Sequence, residues 1–279
     1  MSELGPIQIH RQTGAERFHR GDEDLGFNLL SFWQWSTSDL VSNATRGILA
    51  EYIVARALGL QAEGVRNEWA AYDLETEDGV KVEVKSAAFV QSWNQERLSS
   101  IEFRVRKTQA WDPETNLRIH ERRRQADVYV FALLAHQDKH SIDPLNIGQW
   151  QFYVLPTSAL NARQRSQHSI TLKSLQRLCG LPVGYGELVE AVSRAATANA
   201  QAEHAEQSSM FVTEDYLHER GKRGSRSSYE SALAWVPDIE PDPLDKIHPA
   251  ATSFEQRSDA AMSGKTKPIS EPWEDVDAG

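Results

Sequence analysis

Ala70-Ala71-Tyr72-Asp73-Leu74-Glu75-Thr76-Glu77-Asp78-Gly79-Val80-Lys81-Val82-Glu83-Val84-Lys85-Ser86 is the stretch on which the reading of this chain turns. Asp78-Gly79 sits between two strand-like runs and signals a hairpin, because a tight turn with positive φ favours glycine behind a short acid or amide. After the turn the alternation is strict: Val80, Val82 and Val84 point one way, and Lys81, Glu83 and Lys85 the other. Glu83 and Lys85 therefore leave one strand face on the order of 7 Å apart. Asp73 lies on the other arm, and antiparallel pairing brings it opposite Glu83 or close to it, with the register left open by the sequence. Two converging carboxylates beside a lysine suit a hard divalent cation and a water nucleophile. Mg²⁺ takes one or two carboxylates and keeps waters and substrate phosphate in its shell. It acidifies bound water and neutralises phosphate charge. Lys85 is then placed to orient that water or to stabilise charge building on the phosphoryl oxygens.

Before the hairpin, Ser36-Thr37-Ser38-Asp39 looks like a helix start, and the predicted helix runs to about Leu58, with Gly59 as its stop. Ala44, Ile48, Ala55 and Leu58 share a face of it, and Glu51 lies on the same stripe, where an acid is costly unless something positive or a metal meets it. Gly47, one turn earlier, would permit close approach of the helix. Strands are expected at 70–76, 80–89 and 101–107, a loop at 108–125, short strands at 128–135 and 151–155, and helices at 157–179 and 185–200.

Helical Glu51, then Asp73, then Glu83-Val84-Lys85 resembles the PD-(D/E)xK nuclease superfamily. The resemblance implies an α/β fold with a mixed sheet: a restriction endonuclease-like αβββαβ core with helices on the sheet faces, followed by a flexible C-terminal tail. It implies that Asp73 and Glu83 ligate Mg²⁺ (Mn²⁺ may substitute), that Glu51 assists through a metal-held water, and that Lys85 serves the nucleophile. Some members add a Gln and a Tyr on the following helix, and Gln91 in Gln91-Ser92-Trp93 is a loose candidate for that auxiliary glutamine. The residue before Asp73 is Tyr72 rather than the proline of the family name. The implied activity is metal-dependent DNA endonuclease chemistry in restriction, defence or repair. The alternative is a catalytically silent nuclease-fold subunit that binds DNA or assembles a larger complex. Domains are expected as a flexible arm at 1–26, the nuclease-like domain at 27–195, and a linker with a largely disordered acidic tail at 196–279 that carries a short helix near 227–236.

Charge is unevenly placed. Residues 1–200 hold 22 lysines and arginines against 24 acids, and residues 201–279 hold 8 against 16, so the acidity belongs mainly to the tail. In the near-neutral body, Arg104, Arg106, Lys107, Arg118, Arg122, Arg123 and Arg124 face only Asp112, Glu114 and Glu121 within one window. Such a patch neutralises phosphates and steers a polyanion, and Trp93 and Trp111 flank it as base-stacking candidates. The tail's Lys222-Arg223-Gly224-Ser225-Arg226 and its Trp273 among acids offer a protein-docking segment, and a homodimer is a further expectation. One cysteine, Cys179, excludes an internal disulfide and any cysteine-rich zinc site. There is no phosphate-binding G-x-x-x-x-G-K-[ST] loop, and the histidines lack metal-ligand spacing. No signal peptide or membrane span is readable, so a cytoplasmic location is expected.

Overall fold

The computed structural model describes residues 7–60, 64–112, 117–164 and 166–221. The chain divides into two units, Met1–Tyr216 and Leu217–Gly279, and the sheet and the candidate site belong to the first. The tail features expected at 222–226, 227–236 and Trp273 lie outside the described residues.

Strands β1 (Arg17–Arg20) and β2 (Glu23–Asn28) pair as a hairpin within the expected loose arm. Both are exposed along almost their whole length, so no apolar alternation marked them. Helix α1 (Leu29–Thr37) is capped by Asn28, whose side chain accepts the Ser31 N–H at 3.0 Å. Helix α2 (Asn43–Ala57) begins at Ser42, not in the Ser36–Asp39 cluster. The single helix expected over 36–58 is broken because Asp39 Oδ1 accepts the N–H groups of Val41 and Ser42, at 3.1 and 3.0 Å, and folds the backbone into a local turn. The buried side of α2 is Arg46, Ala50, Ile53, Val54 and Ala55, so Ala55 of the expected face is buried and Leu58 packs against the core, whereas Ile48 is half exposed. Alanines scattered through the helix allow either stripe, and packing against the sheet selects this one. Gly47 faces open space, so it permits no special approach.

Strands β3 (Leu74–Glu75) and β4 (Lys81–Ala88) form the expected hairpin. Gly79 turns it with φ 79°, and Thr76 and Val80 close the loop through the Thr76 N–H to Val80 carbonyl bond of 3.0 Å. Then come β5 (Glu102–Arg104), β6 (Thr108–Asp112) and β7 (Leu117–Arg123), the last two paired antiparallel where a loop was expected. Strands β8 (Val128–Leu134) and β9 (Trp150–Pro156) match the two apolar runs. After α3 (Thr157–Asn161), β10 (Ser169–Thr171) pairs with β5 and splits the helix expected over 157–179, leaving α4 (Leu172–Cys179). Helix α5 (Leu188–Gly221) runs through the segment expected as a linker.

The main sheet has the order β3-β4-β8-β9, with β4 and β8 parallel and the other neighbours antiparallel. This is the mixed α/β architecture that was expected, with one difference in detail. The crossover between the parallel strands carries β5 and the β6–β7 pair in place of a helix. Only 101–106 alternates with a period of two, burying Ile101, Phe103 and Val105, and the β6–β7 segment has no 3.6-residue apolar stripe for a helix to bury. One sheet face, with Val82, Val84, Val130 and Ala132, is covered by α2 and by Leu188 and Val192 of α5. The other, with Phe131, Leu133 and Tyr153, is covered by Phe103, Ile170 and Leu175 from β5, β10 and α4. No helix among the described residues is long and apolar enough to cross a membrane.

Candidate active site

Leu74 stands opposite Val82 and Glu75 opposite Lys81. The same register carried one step further sets Asp73 beside Glu83, and it is held there. Asp73 donates its N–H to the Val82 carbonyl at 3.2 Å, and its Oδ2 accepts the Val84 N–H at 2.7 Å. The alternation of β4 places Glu83 and Lys85 on the face away from Val82 and Val84, and the Lys85 ammonium donates to Glu83 Oε1. Burial drives the Asp73 carboxyl up to about 6; the Glu83 charge adds to the rise, Lys85 and the Val84 N–H oppose it, and the Glu51 charge contributes further. Three carboxylates therefore act on one another around Asp73, and Lys85 offsets only part of their repulsion.

Glu51 reaches Asp73 around the edge of the sheet. It lines a cavity of about 460 Å³ together with Asp73, whereas Glu83 and Asp73 share a cleft of about 860 Å³. Asp73 is common to both spaces. The positive partner that a half-buried helical acid requires is Arg66, which donates through Nε and Nη2 to the two carboxylate oxygens of Glu51, the Nη2 bond measuring 3.0 Å. This fork holds the guanidinium firmly in its charged state, and Asp73 and Glu68 add to the effect. The sequence carried no sign of Arg66, which lies in an irregular segment without period.

The β6–β7 pair forms the far wall of the larger cleft. Arg106, Lys107 and Arg122 line it across from Asp73 and Glu83. Arg122 pairs opposite Gln109, which also faces the cleft, while Arg123 next along the strand does not line it and donates instead to Gln125 Oε1 at 3.1 Å. Arg104 and Arg106 share a smaller cavity with Glu83 and Lys85. Trp111 meets Trp69 edge to face at the cleft, ring centroids 5.6 Å apart. Trp69 was missed; its only signal was an aromatic four residues before Asp73. Trp93 stands apart, its carbonyl accepting from Lys139. The Arg118 side chain lies outside those described.

Two expected site residues are placed elsewhere. Arg124 is 6% exposed, and its guanidinium is spent inside the protein. It donates to the Val105 carbonyl at 2.9 Å, Asn161 Oδ1 at 2.6 Å, Gln167 Oε1 at 3.0 Å and the Gln167 carbonyl at 2.9 Å. It clamps the crossover segment to the α3–β10 connection rather than facing a phosphate. Arg124→Met is expected to cost about 3 kcal/mol in urea unfolding, because it strands several buried acceptors; oligonucleotide affinity measured where the variant is folded should not change. Gln91 is buried as well: its amide donates to the Ala88 carbonyl at 2.8 Å and its oxygen accepts from Arg46. It fastens the strand end to α2 and does not line the cleft.

Among the described residues, no three His, Cys, Asp or Glu side chains converge as a metal cage. Asp73 and Glu83 nonetheless fit Mg²⁺, which takes one or two carboxylates and fills its remaining positions with water or phosphate oxygen. Burial first and the Glu83 charge second raise the Asp73 carboxyl, and a cation placed there would offset both. Comparison with known protein families gives a match to bacteriophage T4 endonuclease IV over residues 2–174. Comparison with curated proteins gives no match.

Proposed function

The chain belongs to the bacteriophage T4 endonuclease IV family, and from that membership we propose that it hydrolyses phosphodiester bonds within DNA at a divalent-cation site of the PD-(D/E)xK type held by Asp73 and Glu83. The observation that carries this reading is the cleft itself, where Asp73 and Glu83 face Arg106, Lys107 and Arg122. A surface meant only to hold DNA has no use for two carboxylates, sharing one lysine, in front of the phosphates. A nuclease needs both signs within one cleft.

Mg²⁺ or Mn²⁺ bound there supplies charge neutralisation at the phosphoryl oxygens and a more acidic water. The protein's own groups divide the remaining work. Val84 N–H fixes the Asp73 carboxylate in orientation. Lys85, tethered to Glu83, presents a positive charge where negative charge builds on the phosphorus oxygens. Arg106, Lys107 and Arg122 hold the flanking backbone. Glu51, held by the Arg66 fork, lines the second cavity beside Asp73. Water forms the new P–O bond, the ester P–O bond breaks, and the leaving oxygen takes up a proton.

Cleavage of plasmid and end-labelled oligonucleotides tests the reading. Cutting is expected with Mg²⁺ or Mn²⁺, to stop in EDTA, and to fall at least about 100-fold in Glu83→Gln. Cutting that persists in EDTA, or that is unchanged in Glu83→Gln, overturns it. DNA binding without cutting on any substrate would favour a silent DNA-binding subunit.

A further inference from the structure

Tyr129 stands on β8 directly beside Glu83 in the parallel register. Its ring belongs to the core: the residue is 4% exposed, and the ring stacks on Phe131 with centroids 6.0 Å apart. Its hydroxyl has no hydrogen-bond partner in the described protein. Buried polar side-chain atoms without a partner are absent among the described residues, so this hydroxyl must end on open space. That space is a cavity of about 150 Å³ walled by Glu83, Lys85, Arg104 and Arg106. Neither Arg104 nor Arg106 has an ion pair among the described residues. A hydroxyl donor that opens into this cavity beside the guanidinium groups of Arg104 and Arg106 suits an anion.

Asp73 does not line this cavity; it shares the larger cleft with Glu83. The cavity adjoins the cleft through Glu83 and Arg106, so a phosphate seated between Tyr129 and Arg104, away from Asp73, would lie beside the one that is cut. We propose that the cavity binds the DNA backbone phosphate next to the one cleaved, with the Tyr129 hydroxyl and the Arg104 and Arg106 guanidinium groups as its donors. This rests on Asp73 and Glu83 marking the cleavage centre. Tyrosine suits the task because its ring packs in the core against Phe131 while its hydroxyl is left to donate into the cavity. A lysine or arginine in the same position would form an ion pair with Glu83 instead.

Tyr129→Phe keeps the ring and removes only the unbonded hydroxyl, so its thermal melting should equal that of the wild type. The test uses oligonucleotides whose cut position has been mapped with the wild-type protein, each carrying one neutral methylphosphonate at a successive position. On the unmodified strand the variant should lose roughly 10- to 100-fold in kcat/KM, the usual value of a hydrogen bond to a charged group. At one phosphate adjacent to the cut, the methylphosphonate should slow the wild type by a similar factor and slow Tyr129→Phe little further, because the two changes remove the same contact. Arg104→Gln should lower the slope of log affinity against log salt by about 1. Equal kcat/KM for variant and wild type, losses that simply multiply at every position, or coupling only at the cleaved phosphate would each overturn the assignment. Should the wild type fail to cut at all, the catalytic reading falls by itself, and affinity for the same strands in EDTA decides the pocket. A roughly tenfold weakening in Tyr129→Phe then supports the phosphate contact, and unchanged affinity refutes it.

Discussion

Asp73→Asn should abolish cleavage and, in EDTA above pH 7, make the protein more stable. Loss of activity follows from removing a carboxylate that holds the cation; a fall of at least about 1,000-fold is expected where metal and nucleophile both depend on it. The gain in stability follows from the elevated Asp73 carboxyl. Its value in the folded chain, about 6, lies above the ordinary 3.8, so the folded state holds this proton more tightly than the unfolded one. Folding stability is therefore highest below about pH 4, declines as pH rises through the interval up to about 6, and stays reduced above it. A shift of this size corresponds to on the order of 2–3 kcal/mol that the ionised carboxylate costs the metal-free fold. Asparagine removes the charge and still accepts the Val84 N–H through its oxygen. Thermal melts in EDTA should show the variant several degrees above the wild type at pH 8, with the gap closing near pH 4. Saturating Mg²⁺ should reverse the order, because only the wild type gains binding free energy from the cation. A variant less stable than the wild type at pH 8 in EDTA would mean that the three acids do not strain the fold.

The carboxylate hairpin was legible because everything that sets it is local. A glycine turn, a period of two and a short loop fix which residues share a face, and the pairing of Leu74 with Val82 completes the register. The fully buried β8 was legible for a similar reason, as an unbroken apolar run. The segment between β4 and β8 was not. Strands β6 and β7 form a pair of their own outside the main sheet, so polar and charged residues occupy them and no burial pattern sets them apart from a loop. Their basic residues stand out in the sequence, yet only the fold reveals which arginines face the cleft. Arg122 and Arg124 sit two residues apart; one lines the cleft and the other is locked beneath Val105 and Gln167. Composition cannot separate them, because an arginine held by carbonyls and amides has no acidic neighbour in sequence to announce it. Glu51 illustrates the converse. Its unusual place on a helix flank was readable, and its partner Arg66 was not, since ion pairs across loops leave no periodic trace.

The family match ends at residue 174, after every residue assigned to the cleft. The apolar face beneath α2 is nevertheless completed by Leu188, Val192 and Ala195 of α5. That helix lies outside the match but inside the core. Most of the apolar support lies within the match, and α5 adds Leu188, Val192 and Ala195 to the cluster that holds Val82, Val130 and Phe152.

Lys85→Met is expected to separate metal binding from catalysis. The ammonium is paired with Glu83 and lowers the Asp73 carboxyl against the push of the two neighbouring acids. Removing it leaves the acids facing one another with less compensation, so Asp73 should rise further in the metal-free protein and a divalent cation should be held more tightly at pH 8. Cleavage should nevertheless fall by about 100- to 1,000-fold, because the positive charge aimed at the developing phosphoryl charge is gone. Mn²⁺ titration followed by electron paramagnetic resonance would show affinity maintained or raised several-fold, while single-turnover cutting of an oligonucleotide shows the loss. The acid limb of the pH profile should move to higher pH, since the proton now competes more strongly for Asp73. The opposite pattern, weaker Mn²⁺ binding with a proportionate loss of rate that excess metal restores, would make Lys85 a support for the carboxylates and remove it from the chemical step. Methionine is the informative substitution because it keeps the length of the side chain along the half-buried face and changes only the charge.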